Sequence, residues 1–415
     1  MTPDLHPNIT KLLYLGFAFP PGGQALHPGI NPAGHALETQ MVGELRSYFD
    51  IRSAGVLPFE LPPVESADPK SGIAHELLLL DKAPEVFHRL RSLSRLKAQY
   101  RAWLRAGWRP DLVLVYNLSP IYNGFLRWLQ RQPGCPRLVL LLLDSAHLGQ
   151  RMARFKRFRY RFKPLATPDS EMLPLFDACI GLSRDVERYF TPLGVPFYWM
   201  PGGCLPSRAL RESDPLTPEP GPQPMRFGYF GALGAHAGVR LLVESFLSVA
   251  SDARLEICGY GKGAEELREL AQREPRLRFH GLLSPEECLR FGRSCDVLVN
   301  PRPASHGNEN NFASKLFDYA LSGRAILTSR LSGVEEVLGP LAEYFDPADF
   351  SHSLAQRVTA LVSTPRSELA RRGAAIQHRV LSQFSWTKQA AGMAGFLQGL
   401  NHAEAPSEPA EALAA

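Results

Sequence analysis

Paired cysteines are missing from this chain. Its six cysteines, at positions 135, 179, 204, 258, 288 and 295, stand apart, with no CxxC pair and no Cys/His cluster. That spacing indicates neither a zinc site nor a disulfide framework, so reduced thiols in a cytoplasmic protein are expected. A long apolar run is also lacking. Leu12 to Phe19 is too short to span a bilayer, and it carries neither the basic leader nor the cleavage site of a secretory signal. The expectation is a soluble protein, or one that touches the inner face of a membrane from outside the bilayer. Charge of one sign is scarce too. Lys and Arg number 46 against 41 Asp and Glu, a formal net charge of +5, far from the positive coat of a nucleic-acid binder. No nucleic-acid partner is expected.

What is present is a chain of 415 residues, 45% hydrophobic and 21% charged, long enough that two domains are the default. Leu12 to Gly16 reads as a strand, followed by a loop holding Gly22 and Gly23, then an amphipathic helix from about His35 to Tyr48. Strand, glycine loop and helix are the opening of a doubly wound α/β domain. The glycine pair lets backbone approach a ligand; an ordinary Pro-Gly turn is the alternative. Residues 84–105 show one apolar stripe at helical spacing. Leu112 to Tyr116, Leu138 to Leu143 and Asp177 to Leu182 are continuous apolar runs, as expected for strands buried on both faces of a parallel sheet. Asp144 and His147 fall just past the second run, at the edge where such sheets bind ligands, although a helix cap and a surface histidine would look the same. Residues 151–163, RMARFKRFRYRFK, carry seven cations and no acid. They suit contact with anionic lipid or a lipid-phosphate acceptor, or else form a solvated face over a buried aromatic edge.

Prolines at 206, 215, 218, 220, 222 and 224 mark a linker, 206–224, between a domain of residues 1–205 and one of 225–384. The second half repeats the alternation. Arg226 to Phe230 is a strand with a glycine-bearing loop, Gly231 to Gly238, and a helix from Val239 to Val249. Leu255 to Cys258 precedes the loop Gly259 to Gly263. Leu277 to His280 is a further strand, and Ser284 caps a helix to Phe291. Residues 351–382 read as helical. Phe384-Ser385-Trp386 then interrupts, a last helix covers 385–400, and 401–415 has the composition of a disordered tail.

The densest polar stretch lies between the strands Val297 to Asn300 and Ala325 to Thr328. Its loop holds Arg302, His306, Glu309, Asn310 and Asn311, and a helix opens near Ser314 and stops at Gly323. Free N–H groups at a helix start, with Lys315 one residue inside, suit a phosphate. Asp318, one turn on, suits a hydroxyl of a ribose. The plain alternative is a Ser314 cap and an exposed Lys315–Asp318 ion pair.

FGYFGAL, LEICGYGKG, LRFHGLL, CDVLVNPRP and NFASKLFDYALSGRAILTS make the second half resemble glycosyltransferase family 4 (group 1). VNPRP followed by NFASKLFDY and SG is similar to the NPRP…FPSK…EY pattern of members that build bacterial exopolysaccharides. PPGG and DACIGLS before PGG extend the likeness to the first half. The resemblance implies a GT-B architecture, two doubly wound Rossmann-like domains facing each other across a cleft, with the C-terminal helix packing back toward the first. It places Ser314 and Lys315 at the donor diphosphate and Asp318 where the family has a glutamate holding ribose hydroxyls. Gly22, Gly23 and Gly231 fall at loops near the donor phosphates. Gly259, Arg302, Asn311 and Phe312 complete the expected donor-binding set. Asp144, His147, Glu309 and Asn310 are expected on the catalytic side. This chain differs from the pattern in two respects. Eight residues before Asp318 stands Asn310, with Glu309 one place off, where the family commonly has a first glutamate. Ala232 and Ala237 stand where many members carry a basic pair.

The implied activity is transfer of a sugar from a nucleotide-sugar to a glycan or polyprenyl-linked acceptor, with retention, in cell-surface polysaccharide synthesis. The sequence has no DxD-like metal motif, and neither a metal nor a cofactor beyond the donor is expected. A non-catalytic nucleotide-sugar binding protein and a GT-B epimerase are the alternatives.

Overall fold

Successive residues of a strand point to opposite faces, so a strand that is apolar throughout needs cover on both sides. The run Leu112–Tyr116 meets that need: Leu112 and Leu114 enter one core, Val113 and Val115 another. The computed structural model describes residues 9–16, 32–57, 77–80, 85–143, 172–209, 223–305 and 307–402. Among them, seven parallel strands form a first sheet: β1 Lys11–Gly16, β2 Asp50–Leu57, β3 Leu77–Leu80, β4 Leu112–Tyr116, β5 Arg137–Leu142, β6 Ala178–Gly181 and β7 Phe197–Trp199, in the order 3-2-1-4-5-6-7. Helix α1, Pro32–Leu45, covers one face, while α2, Glu85–Arg105, and α3, Pro120–Leu129, cover the other.

A second sheet follows, again all parallel: β8 Arg226–Ala232, β9 Arg254–Tyr260, β10 Leu277–Phe279, β11 Val297–Asn300, β12 Ala325–Ser329 and β13 Glu343–Phe345, in the order 10-9-8-11-12-13. Helices α4, Val239–Leu247, α5, Ala264–Arg273, and α9, Phe350–Val362, pack on one face. The other face receives α6, Pro285–Ser294, α7, Lys315–Leu321, α8, Val334–Leu338, and α10, Arg366–Gln383. In each sheet the strand order reverses beside the first strand, between β1 and β4 and between β8 and β11. Crevices for ligands open at the carboxyl ends of such switch points.

The last helix, α11, Trp386–His402, packs against α1 of the first sheet. It is tied down where the chain crosses between the two halves. Cys204 N–H donates to the Phe384 carbonyl at 2.9 Å, and Trp386 N–H donates to the Cys204 carbonyl at 3.0 Å. Tyr198 stacks on Phe396 with 5.3 Å between ring centres.

Several elements depart from the sequence expectation. The helix read over 351–382 is two helices, because Pro365 removes an N–H and disfavours helical geometry in the residue before it. A 3-10 turn, Arg184–Tyr189, follows β6. Strands β2, β3 and β13 and helix α3 have no counterpart in the sequence reading. They are short or carry polar residues among the apolar ones, and tertiary packing rather than local pattern selects them. Ser284 does cap its helix, with the full capping box to Glu287. No helix among the described residues is long and apolar enough to cross a membrane.

Glu256 on β9 is 1% exposed and bonded at both oxygens by Arg226, at 2.7 and 2.9 Å, with His280 Nε2 3.0 Å away. Burial pushes its carboxyl up, but hydrogen bonds from His280 and Arg226 and the Arg226 charge outweigh that and hold it at about 2. A carboxylate depressed from 4.5 to about 2 contributes on the order of 3 kcal/mol. That stability is fully present above the unfolded value and is lost as pH falls through about 2. Thermal melts from pH 7 to pH 2 are expected to show this loss, and Glu256→Gln should start lower and lose less.

Candidate functional site

The carboxyl edge of the second sheet is built by close backbone contact. A Cβ on Gly259, at the end of β9, would lie 2.0 Å from the Gly231 carbonyl oxygen. Gly238 has φ +73°, and a Cβ there would lie 1.7 Å from the Pro301 carbonyl oxygen. Only glycine fits such approaches. The loops after β8, β9 and β11 are therefore locked together. Asn308 adds a side-chain tie, donating to the carbonyls of His236 at 2.9 Å and Pro303 at 3.0 Å.

Lys315, the first residue of α7, reaches into this edge. Its Nζ donates to the Tyr229 hydroxyl at 2.7 Å and lies 4.2 Å from the Tyr229 ring centre. The hydroxyl in turn donates to the Ala232 carbonyl, so it is oriented to accept from the lysine. Gly231, at φ +139°, leaves the space for the ammonium: a Cβ there would be 2.9 Å from Nζ. Arg302 comes from the loop after β11. Its Nη1 donates to the Asn311 carbonyl at 3.4 Å, and its Nε is buried without a partner. Burial pushes the Arg302 guanidinium down from its ordinary value. Burial, and then the charge of Arg302, push the Lys315 ammonium well down. Among the described residues neither cation has a carboxylate partner. Two desolvated cations side by side without a counter-charge are costly, and an anion between them removes the cost.

Asp318 lies one turn beyond Lys315 but faces elsewhere. Its Oδ1 is 3.2 Å from Nη1 of Arg208, a residue of the chain segment after β7. Both line a pocket of about 190 Å³ whose apolar wall is Phe230, Leu283, Pro285 and Leu289. The Lys315–Asp318 ion pair weighed from the sequence is not formed. The Ser314 side chain makes no cap bond, its backbone being already helical.

The structure brings Gly231, Gly259, Arg302, Lys315 and Asp318 to one edge. Ser314 is exposed at the start of α7. Glu309 and Asn310 sit in the 3-10 turn Asn308–Asn310 just before it. The Glu309 carboxylate has no partner among the described residues. The Phe312 ring is core, 4% exposed and 5.5 Å from the Phe317 ring, so the expected donor contact is open only to its backbone. Gly22, Gly23, Asp144, His147, His306 and the basic stretch 151–163 lie outside the described residues. Sequence reasoning missed Tyr229 and Arg208. Tyr229 was hidden in an apolar strand, and Arg208 in a segment read only as linker. Across the cleft, Arg184 of the first half lies 4.4 Å over the Trp199 ring and 4.0 Å from Glu336 on α8.

Residues 224–364 match the family model described as glycosyl transferases group 1. Among solved structures, the chain is similar to sucrose-phosphate synthase from Thermosynechococcus elongatus, with TM-score 0.68 and 15% identity, over 95% of this chain and 100% of that one. It is similar to Anabaena HepE in complex with UDP, with TM-score 0.62 and 13% identity, over 94% and 100%. The lipopolysaccharide outer core galactosyltransferase WaaB in its apo form gives TM-score 0.63 and 13% identity, over 94% and 100%. The fold is GT-B. No curated protein matches the chain.

The lysine carries a pH signature with a definite sign. A base whose folded-state pKa is depressed costs stability in full below that value, and the cost fades as pH rises toward the unfolded value. A bound phosphate raises the pKa again, so binding takes up a proton and affinity falls as pH rises through the free protein's value. Calorimetry of nucleoside diphosphate binding in buffers of different ionisation heat should show this uptake in the wild type and not in Lys315→Met. The same variant should melt no lower than wild type.

Proposed function

We propose that the protein transfers a sugar from a nucleotide-sugar donor to a glycan or polyprenyl-linked acceptor in cell-surface polysaccharide synthesis, with retention of configuration. The observation that carries this reading is the pair of half-buried cations, Lys315 and Arg302, at the switch point of the second sheet with no counter-charge among the described residues. A donor diphosphate supplies that charge, lying over the floor made by Gly231 and Gly259 and reached by Ser314. The ribose falls to Asp318 and the base to the apolar pocket beside it. The sugar then points toward the 3-10 turn, where Glu309, Asn310 and Asn311 are within reach of its hydroxyls, while Asp144 and His147 serve the acceptor side. Gly22 and Gly23 are assigned to the donor phosphates. HepE, a structural relative, was solved with UDP-glucose, which supports a nucleotide-sugar as the donor.

In the transfer, the bond from the anomeric carbon to the β-phosphate oxygen breaks and its electron pair stays on that oxygen. The acceptor hydroxyl attacks from the same face, and its proton passes to the departing phosphate. Charge grows on the leaving group, so the fixed cations lower the barrier, without need of a metal. Domain closure keeps water from the oxocarbenium-like centre. The basic stretch 151–163 fits an anionic membrane surface, which would bring a lipid-linked acceptor to the cleft and make the protein peripheral at the cytoplasmic face.

Release of nucleoside diphosphate from a panel of donors, with a membrane-lipid fraction as acceptor source, tests the reading. Lys315→Ala is expected to weaken donor binding about 100-fold or more, the loss of a charge-assisted contact to phosphate; unchanged affinity would remove the centre of the proposal. The position of Asn310, where the family commonly has glutamate, favours a second reading as a non-catalytic donor-binding protein. Tight binding without turnover across the panel would support that reading, and free-sugar isomerisation without transfer would support an epimerase.

A further inference from the structure

Arg208 has no place in the reading above, yet it makes the closest charged contact to the proposed ribose acceptor. It ends the 3-10 turn Pro206–Arg208, four residues after the Cys204 backbone bonds that join the two halves. Its own N–H donates to the Leu205 carbonyl at 2.9 Å, so its backbone is fixed relative to that crossing. From there the guanidinium reaches Asp318 Oδ1 at 3.2 Å. The two side chains are 37% and 36% exposed, at the mouth of the pocket they share with Phe230, Leu283, Pro285 and Leu289.

We propose that Arg208 is a positioning residue for nucleoside recognition: it holds the Asp318 carboxylate at the pocket wall, ionised and turned to accept ribose hydroxyls. The proposal rests on the donor-site reading above and adds to it a residue from outside the second sheet. Three observations carry it. The contact is to one oxygen, and among the described residues no hydrogen bond reaches the other carboxylate oxygen, so Oδ2 stays available to a ligand. Aspartate is one methylene shorter than the glutamate of the family pattern, and its position must be set by something other than its own length. The groups facing Asp318 are Arg208 and the thiols of Cys204 and Cys288, while Lys315 on the same helix turns to Tyr229. Among the described residues Arg208 is therefore the full charge opposing the burial that pushes the Asp318 carboxyl up. An exposed ion pair contributes little to stability, so removing this arginine should cost recognition rather than folding.

The consequence is a coupling between the interdomain crossing and the donor. A shift of the segment after β7 moves the guanidinium and, with it, the carboxylate that reads the ribose.

The test is calorimetric titration of the full-length protein with UDP, GDP and ADP and with the 2′-deoxy and 3′-deoxy form of each. Wild type is expected to prefer the best ribonucleotide over its deoxy forms by about 10-fold or more, since a site built for a hydroxyl rejects the analogue that lacks it. Arg208→Gln should cut that preference to about 2-fold or less while leaving the affinity for the deoxy forms nearly unchanged. Arg208→Lys should keep part of it. The pH below which the preference disappears should be higher in Arg208→Gln than in wild type. Melting curves of both variants establish that they fold. A full preference in Arg208→Gln, or an equal loss for ribo and deoxy forms in both variants, overturns the proposal. If Asp318→Ala removes the preference and Arg208→Gln does not, Arg208 alone is misassigned. If Asp318→Ala keeps it, the ribose reading of Asp318 fails and this proposal with it, and if no nucleoside diphosphate binds, the donor-site reading itself falls.

Discussion

Backbone lies against backbone at the carboxyl edge of the second sheet, and the polar chemistry there depends on that contact. Gly259 meets the carbonyl of Gly231, and Gly238 meets that of Pro301. A side chain at Gly259 or Gly238 would push the loops after β8, β9 and β11 apart. With the loops locked, Lys315 has one route for its ammonium, past Gly231 to the Tyr229 hydroxyl. Arg302 is half-buried beside it, with a buried Nε that meets no acceptor among the described residues. Two cations that repel each other are thus held together at this edge at a cost in stability, the arrangement from which the donor-site proposal starts.

The same edge carries two chemically different surfaces. The cations and glycines form a floor suited to phosphate. The pocket one turn away is apolar except for Asp318 and Arg208, and suits a flat ring and a sugar hydroxyl. Because α7 presents Lys315 and Asp318 to opposite partners, the helix serves as the joint between the two. Tyr319 on the same helix, fully buried, donates to the Phe230 carbonyl at 3.1 Å and holds the helix against β8.

The chain crossing gives the two halves a common mechanical element. Cys204 pairs with Phe384 and Trp386, the rings of Tyr198 and Trp199 pack on Phe396 and Phe384, and α11 returns to α1. The segment after β7 leaves this crossing and ends on Asp318 through Arg208. The interdomain crossing and the pocket at Asp318 are therefore connected through the covalent chain and one ion pair.

The sequence by itself determined the α/β alternation and most strand positions, because strands buried on both faces read as continuous apolar runs such as Leu112 to Tyr116. It also determined the placing of Ser314, Lys315 and Asp318 on one short helix after a polar loop, since those positions are local. Strands β2, β3 and β13, the break at Pro365 and the order of the strands came from pairing and packing, to which local pattern is blind. Only the tertiary structure decided that Lys315 turns to Tyr229 and Asp318 to Arg208 instead of to each other. Both partners lie far off in sequence, 86 residues in the first case, and side chains one turn apart on a helix choose between near and distant partners by what the sheet edge brings within reach.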